Sequence, residues 1–173
     1  MKRIICLFLC LCFVFALPAC TVEDPPTKEI NPVQEQQPPE LKSDTFGLNE
    51  TAVFRDLKFT ATEIKETTGD EFFTPESGNV FVGVKFTVEN ISEERQSISS
   101  FLLFDAYVDD VKCSDSFNAD CAFDSNTLDG EIAPGKKLVG WYAVEVPSDW
   151  NCLELDVLAN WLSNDAARFV FTK

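Results

Sequence analysis

A chain of 173 residues with 29 Asp and Glu against 14 Lys and Arg carries a formal charge of −15 at neutral pH. A single-sign field of that size opposes DNA, RNA and anionic lipid surfaces, because each is recognised by basic residues facing phosphates. The chain has no histidine, which excludes Ser-His-Asp and Cys-His catalysis, histidine-ligated zinc and the commonest proton shuttle near neutral pH.

The first element is a signal. Lys2-Arg3 precedes an unbroken apolar run from Ile4 to Leu17, which ends in Leu17-Pro18-Ala19-Cys20. A short basic segment, an apolar core and a small residue before the break form the layout of a secretory signal. The run is shorter than the ~20 apolar residues a spanning helix needs. A cysteine directly after that small residue resembles the lipobox of bacterial lipoproteins, whose cysteine is thioether-linked to diacylglycerol and becomes residue one after cleavage. The resemblance implies a signal peptide over residues 1–19, lipidation at Cys20 and a place on the outer face of a bacterial cell membrane. Cys6, Cys10 and Cys12 belong to the discarded segment. Cleavage removes Lys2 and Arg3 and no acid, so the mature chain has 12 basic and 29 acidic residues, net −17.

Residues 20–45 read as the lipidated cysteine and a linker. Pro25, Pro26, Pro32, Pro38 and Pro39 alternate with Glu, Gln and Lys, a composition that buries too little apolar surface to offset the entropy of ordering. Such a linker reaches up to roughly 75 Å if polyproline-like and nearer 30 Å as a coil.

From Phe46 the chain reads as β. Val53 to Ile64 alternates loosely, with Leu57, Phe59 and Ala61 on one side. Asn79 to Asn90 is the clearest strand: Val80, Val82, Val84, Phe86 and Val88 share one face, and Lys85, Thr87 and Glu89 the other. Phe101–Val108 and Val111–Cys113 flank Asp109-Asp110 as a hairpin. Pro134-Gly135 is a turn opening a strand over Lys137–Val146, with Leu138, Gly140, Tyr142, Val144 and Val146 facing one way. Leu153, Leu155 and Val157 mark another strand, Phe169 and Phe171 the last, and residues 159–167 a loop or single helical turn. About seven short strands without a sustained helical period predict an all-β, two-sheet sandwich over residues 46–173.

Gly78-Asn79-Val80-Phe81-Val82-Gly83-Val84, running on into Val88-Glu89-Asn90, resembles the signature strand of a domain of unknown function common in bacterial surface lipoproteins. The Phe104–Asp110 hairpin, Ile132–Lys137 leading to Gly140-Trp141-Tyr142, Val146-Pro147 and Asn160-Trp161 fit it too. The family is sometimes labelled telomeric repeat-binding factor, a function that the charge of this chain opposes. The resemblance implies an immunoglobulin-like β-sandwich, similar to the immunoprotective extracellular proteins of mycobacteria, and brings no catalytic residues with it.

Gly130 to Lys136 matches the G-x4-G-K skeleton of a phosphate loop, but Lys137 stands where Ser or Thr should bind magnesium and a strand follows in place of a helix. It reads as a turn, with no nucleotide. Asp105, Asp109, Asp110, Asp115, Asp120, Asp124 and Asp129, with Asn118, Asn126 and Glu131, offer many oxygens of the kind calcium takes. Asp124 to Gly130 nonetheless fails the EF-hand pattern at its fifth and sixth positions, so no metal is assigned. Paired carboxylates would also serve glycoside hydrolysis, and Trp141, Trp150 or Trp161 would stack on sugars if exposed; a core role is the simpler reading. Asn49-Glu50-Thr51 and Asn90-Ile91-Ser92 are sequons that matter only on a eukaryotic secretory route. Three cysteines remain in the domain, and outside the cytoplasm they predict one disulfide and one free thiol. Cys113 with Cys121 is the favoured pair, Cys121 with Cys152 the alternative, and an all-reduced state suits an anaerobe.

The sequence thus predicts a non-catalytic, membrane-anchored interaction domain without a cofactor, whose partner is a protein, a wall polymer or a host surface. The competing readings are a carboxylate-dependent extracellular glycan hydrolase and a calcium-dependent adhesion module.

Overall fold

Period-two alternation builds two sheets that face each other. The computed structural model describes residues 45–123, 127–160, 162 and 165–173; the signal, Cys20, the linker up to Asp44, Asp124, Asn126 and Trp161 lie outside them. One sheet runs β1 (Thr45–Phe46), β11 (Ala166–Thr172), β10 (Cys152–Leu158), β6 (Phe104–Val108), β7 (Val111–Lys112). The other runs β2 (Thr51–Val53), β3 (Leu57–Thr67), β4 (Asn79–Asn90), β9 (Lys137–Pro147). A small ladder joins β5 (Gln96–Ile98) to β8 (Gly130–Ile132). The β3-β4-β9 and β11-β10-β6 orders correspond to strands A-B-E and G-F-C of an immunoglobulin sandwich, so the predicted immunoglobulin-like fold is the one observed.

The core is the set of inward residues named by the alternation. Val82, Val84, Phe86 and Val88 of β4, Tyr142, Val144 and Val146 of β9, Leu153, Leu155 and Val157 of β10 and Phe169 of β11 are all buried. Phe86 lies edge-on to Phe104 and to Phe169, both at 5.2 Å between ring centroids, and Phe104 stacks on Tyr142 at 4.8 Å. Such rings contribute beyond their buried area through the quadrupole geometry of their contacts. Asn90 is the buried polar residue among the described residues, and all its side-chain bonds are made: its amide nitrogen donates to the Glu94 and Ile132 carbonyls and its oxygen accepts from Ser92. It therefore ties the end of β4 to β8 at little cost.

Three elements depart from the sequence reading. The strand expected over Val53–Ile64 is broken into β2 and β3 by a tight turn, closed by Phe54 N–H donating to the Leu57 carbonyl at 2.8 Å. The strand expected from Phe101 begins at Phe104; a single helical turn, α1 (Ser100–Leu103), precedes it, and only its Leu103 reaches the core. The first half of β4 is buried on both faces, so Phe81 and Gly83 do not face water. A short helix, α2 (Phe117–Ala122), covers the outer face there, packing Ala119 and Phe123 on Phe81, Trp141 and Ala143. Gly83 makes this possible: a Cβ there would stand 2.7 Å from the Phe123 ring.

Candidate functional site: a groove at one end of the sandwich

Several chain-distant segments meet where β4 starts and β9 ends. The hairpin between β6 and β7 turns at Asp109 and Asp110, both at positive φ (47° and 68°), the backbone of a type I′ turn that Asp tolerates better than most residues. Asp109 then reaches across, its Oδ1 accepting the Cys152 N–H at 2.9 Å, which fixes the hairpin against β10. The chain leaves β7 past Cys113, whose N–H donates to the Ala106 carbonyl, and pairs with β9 through an Asp115–Val144 bridge. Ser116 ends this segment by capping α2, its Oγ accepting the Ala119 N–H. From the other side Glu145 Oε1 accepts the Glu76 N–H at 2.6 Å and the Asn79 amide at 3.0 Å, holding the loop before β4 in place.

These pieces enclose a groove of about 610 Å³. Glu76, Asp109, Asp115 and Glu145 give it acid, Val108, Val111, Cys113 and Pro147 give it apolar wall, and Lys112 is its cation. Lys112 is already paired with Asp105 at 2.6 Å, and that bond raises its ammonium above the ordinary value. Aromatic residues follow the Ser116 end of the lining. Asp70 accepts the Phe72 and Phe73 N–H groups at 2.8 Å, which shapes the loop after β3 and holds the Asp70 carboxyl below its usual range. Phe73 meets Phe117, the residue after Ser116, edge-on at 6.5 Å. Phe72 is 77% exposed, Phe117 75% and Val111 69%, so large apolar surface stands in water beside an acidic cleft.

Other predicted candidates are placed differently. Cys113, Cys121 and Cys152 are free, half-buried thiols, and the expected Cys113–Cys121 bridge is not formed in the structure. Cys113 packs against the inter-sheet core while α2, which carries Cys121, covers the outer face of β4 and β9; burial pushes the Cys113 thiol up. Four described acids of the run between Asp105 and Glu131 are engaged by different groups. Asp105 pairs with Lys112, Asp109 caps β10, Asp129 accepts the Ser100 N–H, and Glu131 meets Arg95. Among the described residues no three acidic or thiol side chains come together as a metal would need. Asp120 is pushed up to about 6, mainly by burial and further by Asp129 and Asp115, against an Ala143 N–H bond that lowers it; it does not line the groove. Gly130–Lys136 is the short strand β8 and a turn with Gly135 at φ 68°, leading into strand β9 without a helix. Trp141 is buried under Phe123, and Trp150 is buried with its Nε1 donating to Glu66 at 3.0 Å, so neither offers a sugar platform. Phe72, Phe73 and Phe117 escaped the sequence reading; the signal was there in two adjacent phenylalanines inside a polar loop, where no core face exists to receive both.

Solved structures share the architecture. A Bacillus subtilis protein described as a lipoprotein, YcdA, superposes with a TM-score of 0.59 at 16% identity, over 70% of this chain and 38% of that one; the chain thus spans little more than a third of it. An uncharacterized β-sandwich protein of Clostridium difficile gives 0.51 at 18% identity over 80% and 99% of the two chains. A Staphylococcus aureus protein described as a lipoprotein gives 0.50 at 16% identity over 77% and 90%. At such identities the likeness speaks for the fold alone. No curated protein matches the chain. The model of the family described as Domain of unknown function (DUF4352) matches residues 46–167, most of the sandwich, and the chain belongs to that family.

Proposed function

We propose that this protein is a lipid-anchored, extracytoplasmic binding domain without catalytic activity. Cys20 carries the lipid, residues 20–45 form the stalk, and the sandwich over 46–173 contacts a protein, a wall polymer or a host surface through its groove end. The lipoprotein descriptions of two structural neighbours and the Leu17-Pro18-Ala19-Cys20 motif support the anchor.

The observation that carries the non-catalytic part is what the groove carboxylates do. Asp109 and Glu145 each accept N–H bonds from the surrounding wall, so both are engaged in holding the site together. Glycoside hydrolysis needs one carboxyl kept protonated opposite a second that is ionised, and the raised carboxyl here, Asp120, stands outside the groove. The test is an incubation of the mature chain with bacterial wall glycan, reading soluble reducing ends. No release above the buffer control is expected. Saturable release that disappears in Asp115→Asn/Glu145→Gln would overturn the reading in favour of a hydrolase.

A further inference from the structure

We propose that the groove takes an extended peptide segment of a partner protein, with Lys or Arg residues separated by apolar ones. This rests on the binding-domain reading and adds the chemistry of the ligand.

Charge selects the occupant. The lining holds Glu76, Asp109, Asp115 and Glu145 against Lys112, which Asp105 already neutralises, and the field of the whole chain has the same sign. Complementary charge guides encounter and rejects like-charged partners. The protein's own linker is therefore a poor occupant, since Glu23, Asp24, Glu29, Glu35, Glu40 and Asp44 outnumber Lys28 and Lys42. A second copy is a poorer occupant on the same ground, being equally acidic.

Shape and apolar surface select further. Val111 lines the groove, Phe117 directly follows Ser116 of the lining and meets Phe73, the neighbour of Phe72, and Val111, Phe117 and Phe72 are all exposed; aromatic faces attract ammonium and guanidinium groups as well as apolar side chains. A uniformly polar polycation would leave that apolar surface in water, whereas alternation of cationic and apolar side chains answers both parts of the site. The volume of about 610 Å³ lies within the range of sites that enclose small ligands or short segments.

Access agrees. β1 is parallel to β11, with Thr45 opposite Arg168, and β11 runs toward Lys173, whose N–H bonds Asn151 beside the Asp109 turn. Thr45, where the described chain begins, thus stands toward the end of this sheet away from the groove.

The test is fluorescence anisotropy with the mature chain in detergent and three labelled probes. These are an eight-residue peptide alternating Lys and Phe, one alternating Lys and Ser, and a glucosamine oligomer of matched charge. The Lys-Phe peptide is expected to bind at least ~10-fold more tightly than the Lys-Ser peptide, the equivalent of about 1.4 kcal/mol. Phe72→Ser/Phe117→Ser should abolish that preference, and Glu76→Gln should weaken both peptides several-fold. Glu93→Gln, the same change of charge in an exposed loop at the other end, should alter neither. Equal affinity for the two peptides, a preference that survives Phe72→Ser/Phe117→Ser, or tighter binding of the glucosamine oligomer would overturn the proposal. Because those phenylalanines are exposed, the variants should melt with the wild type; if they do not, the Glu76→Gln and Glu93→Gln comparison decides. A chain that binds no probe and releases no sugar from wall glycan loses this ligand alone. One that binds none and does release sugar loses the binding-domain reading as well.

Discussion

Asp120 shows how one side chain on α2 sets a pH dependence. Its carboxyl is lifted from 3.8 to about 6, chiefly by burial, with Asp129 and Asp115 adding repulsion. A carboxyl raised by folding supports the fold below its unfolded pKa and withdraws that support as pH rises through the folded value. The loss therefore falls between about pH 4 and 6 and is complete above it. Asp120→Asn keeps an oxygen for the Ala143 N–H and removes the charge, so it should raise the melting temperature at pH 7.5 by roughly 3 °C and change it little at pH 3.5. The small size allows for partial solvent screening of a side chain that is only half-buried. Thermal scans at the two pH values check this, and an equal shift at both would remove charge from the explanation. No pattern in the sequence announces such an effect, because α2 is too short to show a helical period and its burial depends on Gly83, far away in the chain, making room for Phe123.

At the scale of elements, β4 is the part most directly written in the sequence. Its alternation places Phe86 between Phe104 and Phe169, while Lys85 points the other way, over the Trp141 ring and toward Glu63. Phe86→Ala should cost roughly 3–5 kcal/mol, as large-to-small changes in packed cores do. Lys85→Ala should cost under about 1 kcal/mol, the scale of an exposed ion pair or cation–π contact. Denaturant titrations of the two variants check the register, and matching midpoints would contradict it. The inward faces of β9, β10 and β11 were legible in the same way, because one buried face imposes period two. The burial of Phe81 on the other face of β4 was not legible, since cover by a six-residue helix leaves no periodic trace. α1 was missed for a related reason: Phe101 and Leu102 look like strand residues but stand in water. The groove was illegible because its walls come from residues near 76, 109–116 and 145–147, joined only by the sheet order.

At the scale of the whole molecule, the proposed tether, the acidic composition and the immunoglobulin-like scaffold suit one function. The scaffold is stable through its aromatic core, its edges are interrupted by short strands and bridges such as Asp115–Val144, and its connecting segments supply the groove. Loops on a rigid sandwich are where binding residues accumulate in such folds. The charge legible in the composition is what narrows the proposed partner, and the motif ending at Cys20 is what supports the proposed membrane anchor. The account therefore stands or falls most directly on Cys20. The decisive measurement is membrane fractionation with mass spectrometry of the mature N-terminus, comparing wild type with Cys20→Ala in a bacterial host. Wild type should partition into detergent with a diacylglycerol-modified Cys20 as its first residue, and Cys20→Ala should be released or accumulate as an uncleaved precursor. A Cys20→Ala protein that is still processed and still membrane-bound like wild type would contradict the account.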